Sequence, residues 1–266
     1  MTRHVVFVLS GLLAGLSGLL AGAALAGPPT QYGYRVLEQR PLPRDNFVQG
    51  LEFDGDTLLV GTGRYGQSRI RRYAFPAMTL LAEQRLPPRL FGEGITRYGD
   101  RIFQLTWRAG FGVAWDATAL EPVARFALPG EGWGLTHNET SLIYSDGSAT
   151  LRFLDPATLQ PTRELVVRRD GKALPRLNEL EWIDGRLWAN VWTTDRVVII
   201  DPDSGNVEAE VDLAGLLPLP ERRRDTDVLN GIARDSAGQT WVTGKHWPWL
   251  YRIELAPPGT RARDLQ

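Results

Sequence analysis

The chain has 266 residues, 43% hydrophobic and 23% charged, so it is long enough and apolar enough to form a packed core. Lysine and arginine (30) nearly balance aspartate and glutamate (31), and a net charge of −1 gives no electrostatic reason to expect nucleic acid binding. The lack of cysteine excludes disulfides, thiolate zinc sites and cysteine nucleophiles, and three histidines nearly exclude a multi-histidine metal centre.

The first segment, residues 1–26, has the pattern of an export signal. Arg3 precedes an apolar run over residues 5–20, and small residues follow up to Ala24-Leu25-Ala26. A basic start, an apolar stretch and an A-x-A end are typical of a cleaved signal peptide, although the same stretch is long enough to be a membrane anchor. The small residues and the cleavage pattern favour removal. We therefore expect residues 27–266 to form one mature domain, periplasmic or secreted and free of the membrane.

Five strand-like runs recur along the mature chain, which is rich in the turn formers glycine and proline. Their starts are 44, 40, 45 and 53 residues apart, a spacing that suits a unit of four strands. This register predicts an all-β fold, a five-bladed β-propeller with four strands per blade. A β-sandwich or two small barrels would not explain a fivefold register. The runs are residues 56–63, 100–107, 140–147, 185–192 and 238–245.

The N-terminal strand is predicted to close the propeller. Residues 36–40 (VLEQR) resemble residues 81–85 (LAEQR), which end the first unit. The last unit, which ends near residues 251–255, lacks an equivalent strand. We therefore expect the N-terminal segment to pair with the last unit and so to cover an exposed sheet edge.

Two slots of the repeat hold chemically varied side chains. The first precedes a Gly or Glu and an aliphatic residue, and the second follows it by 14 or 15 residues. Equivalent positions in a propeller form rings around its axis. The first ring is Gln49, Glu93, Trp133, Asn178 and Asn230, and the second is Gly63, Trp107, Gly147, Trp192 and Lys245. Purely structural slots would repeat one small or aliphatic residue, so this variety indicates a site.

Structural roles are the alternative for individual ring residues. Asn230 is expected to close a loop through backbone hydrogen bonds, and packing between blades is the alternative role for Trp107 and Trp192. Glu93 lies between two glycines and is expected near indoles. Burial against indoles would raise its pKa toward the range that suits proton transfer, so a catalytic role is favoured for Glu93.

Eight ordered motifs resemble the glutaminyl-peptide cyclotransferases of the plant and bacterial type. They include FVQGL at 47–51, FGEGIT at 91–96, EGWGL at 131–135, LNELE at 177–181 and VTGKHWP at 242–248. The resemblance extends from about residue 34 to residue 255. It implies a five-bladed propeller that converts the N-terminal glutamine of peptides and proteins into pyroglutamate, with release of ammonia and without a catalytic metal.

The resemblance also implies the site residues. Glu93, Lys245 and Asn178 correspond to its catalytic positions, where Glu93 would move protons and Gln49, Asn178 or Lys245 would bind the oxyanion. Its substrate-binding positions correspond to Phe47, Gln49, Phe91, Trp107, Trp133 and Trp192. No cofactor is implied for catalysis. Whether a structural calcium ion lies in the central channel of the propeller stays open. We expect a monomer whose partners are peptides or proteins with N-terminal glutamine.

Two positions depart from the family pattern, and two other functions stay open. Arg44 stands where a histidine is usual and Gly61 where an acidic residue is usual, and both are expected around the pocket mouth, where they would alter substrate range. A non-catalytic peptide-binding or scaffold propeller of the cell envelope would use the same rings for recognition. A metal-dependent lactonase-type propeller needs several axial carboxylates, whereas the rings supply one.

Overall fold

The computed structural model describes Met1 and residues 27–263, and these residues form an all-β fold. One short 3-10 helix, Leu219–Glu221, is the helical element in this part of the chain. The predicted signal peptide lies, apart from Met1, outside the described residues, so its prediction stands untested. Residues 27–263 contain no helix of the length and apolarity that a bilayer span requires.

The chain begins with the long strand β1 (Thr30–Pro41) and continues with three four-stranded antiparallel sheets, each in chain order. The first comprises β2 (Val48–Asp54), β3 (Thr57–Thr62), β4 (Arg69–Ala74) and β5 (Thr79–Arg85). The second comprises β6 (Gly92–Tyr98), β7 (Arg101–Thr106), β8 (Phe111–Asp116) and β9 (Pro122–Ala127). The third comprises β10 (Leu135–His137), β11 (Leu142–Tyr144), β12 (Thr150–Leu154) and β13 (Pro161–Val166).

A small hairpin, β14 (Arg168–Arg169) and β15 (Lys172–Ala173), leads into a nine-stranded sheet that includes β1. Its other strands are β16 (Leu177–Ile183), β17 (Arg186–Val191), β18 (Arg196–Ile200), β19 (Val207–Asp212), β20 (Leu229–Arg234), β21 (Thr240–Gly244), β22 (Trp249–Ala256) and β23 (Arg261–Arg263). The spatial order is β16-β17-β18-β19-β1-β22-β21-β20, with β23 beside β1.

The N-terminal strand pairs as predicted with the last unit. β1 runs antiparallel to β22, with Tyr34 opposite Leu255 and Gln39 opposite Tyr251, which confirms the expected partner. Its first residues also pair in parallel with β19, where Thr30 lies opposite Ala209. β1 therefore covers the edges of both neighbouring strands, and neither edge is left free to recruit another chain.

The first strands of the successive units, β2, β6, β10, β16 and β20, lie at the centre. β6 contacts β2 and β10, β16 contacts β10 and β20, and β20 contacts β2, so their order closes on itself. A Cβ atom on Gly94 would lie 2.5 Å from the Leu135 nitrogen, and one on Gly134 would lie 1.9 Å from the Asn178 carbonyl oxygen. Gly94 and Gly134 are required because inner strands meet there backbone against backbone, whereas the fourth unit has Glu179 in the same slot.

Apolar side chains fill the spaces between neighbouring sheets. Leu59 of the first sheet packs in one cluster with Ile95 and Trp115 of the second. Trp115, Trp188 and Trp241 are buried in these clusters. Burial of each large apolar side chain stabilises the fold by roughly 1.5–3 kcal/mol, so these contacts hold the inner strands in register.

Candidate active site

All nine residues implied by the resemblance line one cavity of about 280 Å³. It lies where the inner strands begin and the second strand of each unit ends. The predicted lining residues are Phe47, Gln49, Phe91, Glu93, Trp107, Trp133, Asn178, Trp192 and Lys245, and Thr193, Asp227 and Val228 complete the wall. Three positions of the two predicted rings, Gly63, Gly147 and Asn230, are missing from the lining that the described residues form.

β-Bulges aim the first ring toward the cavity. In four units the register between the first two strands shifts at the slot, so Gln49, Glu93, Asn178 and Asn230 each lie in a bulge. A bulge adds one residue to a strand, bends it and changes the direction of its side chain. The irregular pairing accompanies the exposure of Gln49, Glu93 and Asn178 to the cavity, whereas Asn230 does not line it.

The second ring follows directly after the second strands. The backbone nitrogen of Trp107 donates to the Phe91 carbonyl at 3.0 Å, and that of Lys245 donates to the Val228 carbonyl at 2.9 Å. These bonds place each second-ring residue beside the segment that leads into the first ring. The two rings therefore meet at one edge of the inner strands.

Glycines in the second ring make room for aromatic rings. A Cβ atom on Gly63 would lie 2.4 Å from the Phe91 ring, and one on Gly147 would lie 2.6 Å from the Trp133 ring. Gly147 also has a φ of +80°, a conformation that other residues adopt only with strain. These two positions shape the cavity and contribute no reactive group.

The aromatic residues form two groups of touching rings. The ring centroids of Phe91 and Trp107 are 5.5 Å apart, and those of Phe47 and Phe91 are 6.2 Å apart. Trp133 and Trp192 meet edge to face at 5.3 Å. Both Trp107 and Trp192 face the cavity, and Trp192 is 38% exposed at its mouth. The alternative that these two tryptophans merely pack between blades is therefore not favoured.

Glu93 and Lys245 are buried charged groups in this aromatic cavity, 4% and 5% exposed. Burial raises the pKa of Glu93 well above its ordinary value; the Lys245 ammonium opposes the rise and the Glu131 carboxylate adds to it. Burial likewise lowers the pKa of Lys245, against the attraction of Glu93 and Asp227. Burial therefore favours the neutral form of each group, and such shifted carboxyl and amino groups are candidates for proton transfer.

The amide side chains have different hydrogen-bonding states. Asn178 is 3% exposed, and its Oδ1 atom has no partner among the described residues. A buried acceptor without a partner marks a place where a ligand N–H group can bind. Asn230 Nδ2 donates to the Val48 carbonyl at 3.0 Å and to Gln49 Oε1 at 3.4 Å. Asn230 therefore has the loop-closing role expected for it, and it also orients the Gln49 amide.

Comparison with known proteins identifies the family. Residues 11–255 match the model described as glutamine cyclotransferase. The chain belongs to this family. It is 39% identical over 225 residues to a glutaminyl-peptide cyclotransferase of Arabidopsis thaliana, across 83% of this chain and 70% of that protein. It also resembles the crystal structure of Myxococcus xanthus glutaminyl cyclase, with a TM-score of 0.78 and 30% identity over 86% of this chain and 98% of that one. The resemblance predicted from the motifs is confirmed.

In this member of the cyclotransferase family, Glu131 is a site residue that the ring positions did not include. Its Oε2 atom accepts hydrogen bonds from the indole nitrogens of Trp107 at 2.8 Å and Trp133 at 2.9 Å. Glu131 stands two residues before the first ring, the position that Phe47 and Phe91 occupy in the preceding units. The repeat therefore places Glu131 in a third slot, but the spacing does not predict its two indole partners.

Three buried carboxyl groups further along the inner strands were also missed. The carboxylate of Glu179 accepts hydrogen bonds from the backbone nitrogens of Leu51 at 3.2 Å and Ile232 at 2.8 Å, which belong to two other units. Glu52 and Glu181 line a second cavity of about 550 Å³. Across residues 27–263, no three His, Asp or Glu side chains are placed to hold a metal ion together. Through its two hydrogen bonds to backbone nitrogens, the Glu179 side chain connects inner strands of different units.

The structure places the two departures from the family pattern differently. Arg44 donates to the carbonyl oxygens of Glu221 at 2.6 Å and His246 at 3.2 Å, and the His246 ring lies 5.2 Å from the Phe47 ring. Arg44 is therefore close to the cavity, as expected. The expectation for Gly61 is wrong, because a Cβ atom there would lie 2.6 Å from the Ile95 side chain of the next unit. Gly61 lies on the second strand β3 and packs against the inner strand β6 of the next unit.

Proposed function

We propose that this chain is a glutaminyl-peptide cyclotransferase, which converts the N-terminal glutamine of peptides and proteins into pyroglutamate and releases ammonia. The observation that carries this conclusion is the burial of Glu93 and Lys245 in one aromatic cavity of a member of this family. A cavity of about 280 Å³ suits a single terminal side chain, and its charged pair suits a reaction that must move a proton.

The reaction is an intramolecular acyl transfer. The neutral α-amine of the substrate attacks the side-chain amide carbon, a new C–N bond closes the five-membered lactam, and the bond to the side-chain nitrogen breaks. The proton lost by the amine goes to that leaving nitrogen, which departs as ammonia. Because the two reacting groups belong to one residue, the enzyme mainly has to hold them in contact. Such positioning lowers the barrier by about 7–11 kcal/mol at best.

The aromatic walls hold the glutamine side chain in its curled conformation. They consist of Phe47, Phe91, Trp107, Trp133 and Trp192. Their rings provide apolar contact area of a defined shape, and the few polar groups of the cavity form the hydrogen bonds to the substrate.

Glu93 transfers the proton. As a carboxylate it takes the proton from the attacking amine and then delivers it to the leaving nitrogen, a role that typically accelerates a reaction by ~10²–10⁴-fold. Lys245 and the amide nitrogen of Gln49 donate to the amide oxygen as it gains negative charge. The unpartnered Oδ1 atom of Asn178 accepts from a substrate N–H group and so orients the amine or the amide.

We propose that the fold is a five-bladed propeller. The closed order of the five inner strands supports this description, as do the three separate four-stranded sheets. Within the nine-stranded sheet, β1 joins β19 through only three residue pairs, Thr30 to Tyr32, whereas it pairs with β22 over most of its length. β16–β19 would then be the fourth blade, and β20–β22 with β1 the fifth.

We also propose that residues 1–26 direct export and are removed, that residues 27–266 act as a periplasmic or secreted monomer, and that turnover needs no metal ion. The basic, apolar and A-x-A pattern supports the export signal. Glu93 and Lys245 support metal-independent chemistry, because together they supply the base and the electrophilic donor that the reaction needs. The non-catalytic alternative is not favoured, because the relatives are named as cyclotransferases and cyclases.

Ammonia release from a dipeptide with N-terminal glutamine tests the proposal. The purified protein should release ammonia and pyroglutamyl peptide in equal amounts, with or without EDTA. The Nα-acetylated dipeptide is the matched control, since it lacks a nucleophilic amine and should release none. No ammonia from the free dipeptide would contradict the function, and a loss in EDTA that only zinc restores would contradict metal independence. A loss restored by calcium would point to a structural ion bound by oxygen ligands.

A further inference from the structure

The two central tryptophans of the cavity share one hydrogen-bond acceptor. Both indole N–H groups, from Trp107 and Trp133, donate to the same oxygen of Glu131. The other oxygen accepts from Arg108 Nε at 2.8 Å, and the Arg108 guanidinium lies 3.8 Å from the centroid of the Trp107 ring. Three donor groups from three side chains therefore converge on one carboxylate at the rim of the cavity.

Glu131 is held in its ionised form. Burial acts to raise its pKa, but hydrogen bonds from Trp133, Arg108 and Trp107 outweigh it, and the pKa lies below the ordinary value for glutamate. An ionised acceptor forms hydrogen bonds that are shorter and stronger than those between neutral groups. The carboxylate is thus suited to fix the rotation of both indoles.

The rest of the aromatic wall depends on these two indoles. Trp192 packs edge to face on Trp133, and Phe91 packs on Trp107. Fixing the two indoles therefore fixes four of the five aromatic rings that line the cavity. Because both indole N–H groups are used by Glu131, neither is free to donate to the substrate's amide oxygen. The oxyanion must instead be bound by other donors of the cavity, among which are Lys245, Gln49 and Asn178.

We propose that Glu131 is a positioning residue of the active site, which joins Trp107 and Trp133 through their indole N–H groups and keeps the aromatic wall in the shape that curls the substrate's glutamine. The inference rests on the proposed cyclotransferase function. It assigns Glu131 no contact with the reacting atoms, so its effect on catalysis passes entirely through the two indoles.

Two substitutions separate the hydrogen bonds from the charge. In E131Q the side-chain carbonyl oxygen has two lone pairs and can still accept from both indoles. In E131A neither bond can form. We expect E131Q to keep kcat within about threefold of wild type, and E131A to lose ~10-fold or more, because a displacement near 1 Å in an active site costs ~10²-fold. Glu164, which bonds Arg152 at 3.0 Å on an outer strand, supplies the matched control E164Q, which should leave kcat unchanged.

A double-mutant cycle distinguishes positioning from general loss of structure. In the W107F/W133F background the indole donors are already absent, so E131A should cause little further loss of kcat. An equal loss in both backgrounds would overturn the proposal, as would a folded E131A enzyme with wild-type kcat or an E131Q enzyme as slow as E131A. Should E131A fail to fold, E131M keeps the side-chain volume without the carboxylate and takes its place.

Solvent exchange of the indole protons keeps this result separate from the proposed function. Two indole N–H signals should be protected in wild type and E131Q and exposed in E131A, as seen by NMR. If wild type releases no ammonia, the proposed function fails while the bonds to Glu131 are still judged by this protection. Equal exchange in all three proteins would overturn the role of Glu131.

Discussion

At the scale of single residues, the cavity combines two properties that rarely occur together. Its walls are aromatic, yet they enclose a carboxyl group and an amine that are both almost fully buried. Burial shifts the pKa of Glu93 upward and that of Lys245 downward from their ordinary values. The pH dependence of turnover should therefore show both shifted pKa values.

We predict a bell-shaped dependence of kcat on pH. On the acid side kcat should rise with pH through a pKa above that of an ordinary glutamate, because Glu93 must lose its proton to act as the base. On the alkaline side it should fall through a pKa below that of an ordinary lysine, because Lys245 must stay protonated to donate. Steady-state kinetics on a glutamine dipeptide measure both limbs. An acid limb near about 4.3, the value of an unperturbed glutamate, would contradict the assignment.

At the scale of strands and loops, the sequence register was sufficient to find most of the cavity. Spacing alone placed Gln49, Glu93, Trp133, Asn178 and their second-ring partners at one edge, because each unit repeats the same pair of strands. The β-bulges at the first ring cannot be predicted from the alternation of apolar and polar residues. The repeat therefore predicts the positions of these residues but not their local backbone conformation.

The spacing of the repeat does not predict features that depend on contacts between different units. Glu131 receives its two indole donors from Trp107 of the second unit and Trp133 of the third, a convergence that no spacing within one unit encodes. A difference from the family pattern does not by itself distinguish a position at the cavity mouth from a packing contact, and Gly61 makes such a contact between β3 and β6. The spacing also does not predict that Glu179 accepts hydrogen bonds from backbone groups of two other units.

The N-terminal strand provides the prediction at this scale. Deleting residues 27–40 should uncover the edges of β19 and β22 together, and the exposed edges should cause aggregation, because unpaired strand edges recruit other chains. Deleting only residues 27–29, which precede β1, is the matched control and should leave the protein soluble. Light scattering and size-exclusion chromatography measure the difference. A soluble, correctly folded 27–40 deletion would show that β1 does not complete the fold.

At the scale of the whole molecule, buried carboxyl groups along the inner strands influence stability as well as catalysis. Burial raises the pKa of Glu52 to about 8, and its neighbour His137, 3.8 Å away, has its pKa lowered by burial. Both therefore favour their neutral forms at pH 7, and their contact is not an ion pair there. A carboxyl group that keeps its proton in the folded state links stability to pH.

We predict that the free energy of unfolding falls as pH rises from about 4.5 toward about 8, the pKa values of Glu52 unfolded and folded. Across that window Glu52 binds a proton in the folded state and not in the unfolded state. Its contribution to the free energy of unfolding therefore declines by about 1.4 kcal/mol per pH unit where the two states differ by one full proton. E52Q should flatten the dependence, while E164Q controls for the loss of one carboxyl group. Urea unfolding followed by tryptophan fluorescence at several pH values measures it. An unchanged slope in E52Q would show that Glu52 is ionised in the folded protein.

The central claim is that a carboxyl group buried among indoles moves the proton in glutamine cyclisation, and E93Q tests it most directly. Glutamine has nearly the size of glutamate and can still form hydrogen bonds, but it cannot transfer the proton. Ammonia release from a glutamine dipeptide should show kcat reduced by ~10²-fold or more, with KM changed far less because the aromatic walls remain. Circular dichroism confirms that the variant is folded. A folded E93Q enzyme with near-normal kcat would remove Glu93 from the mechanism and contradict the account.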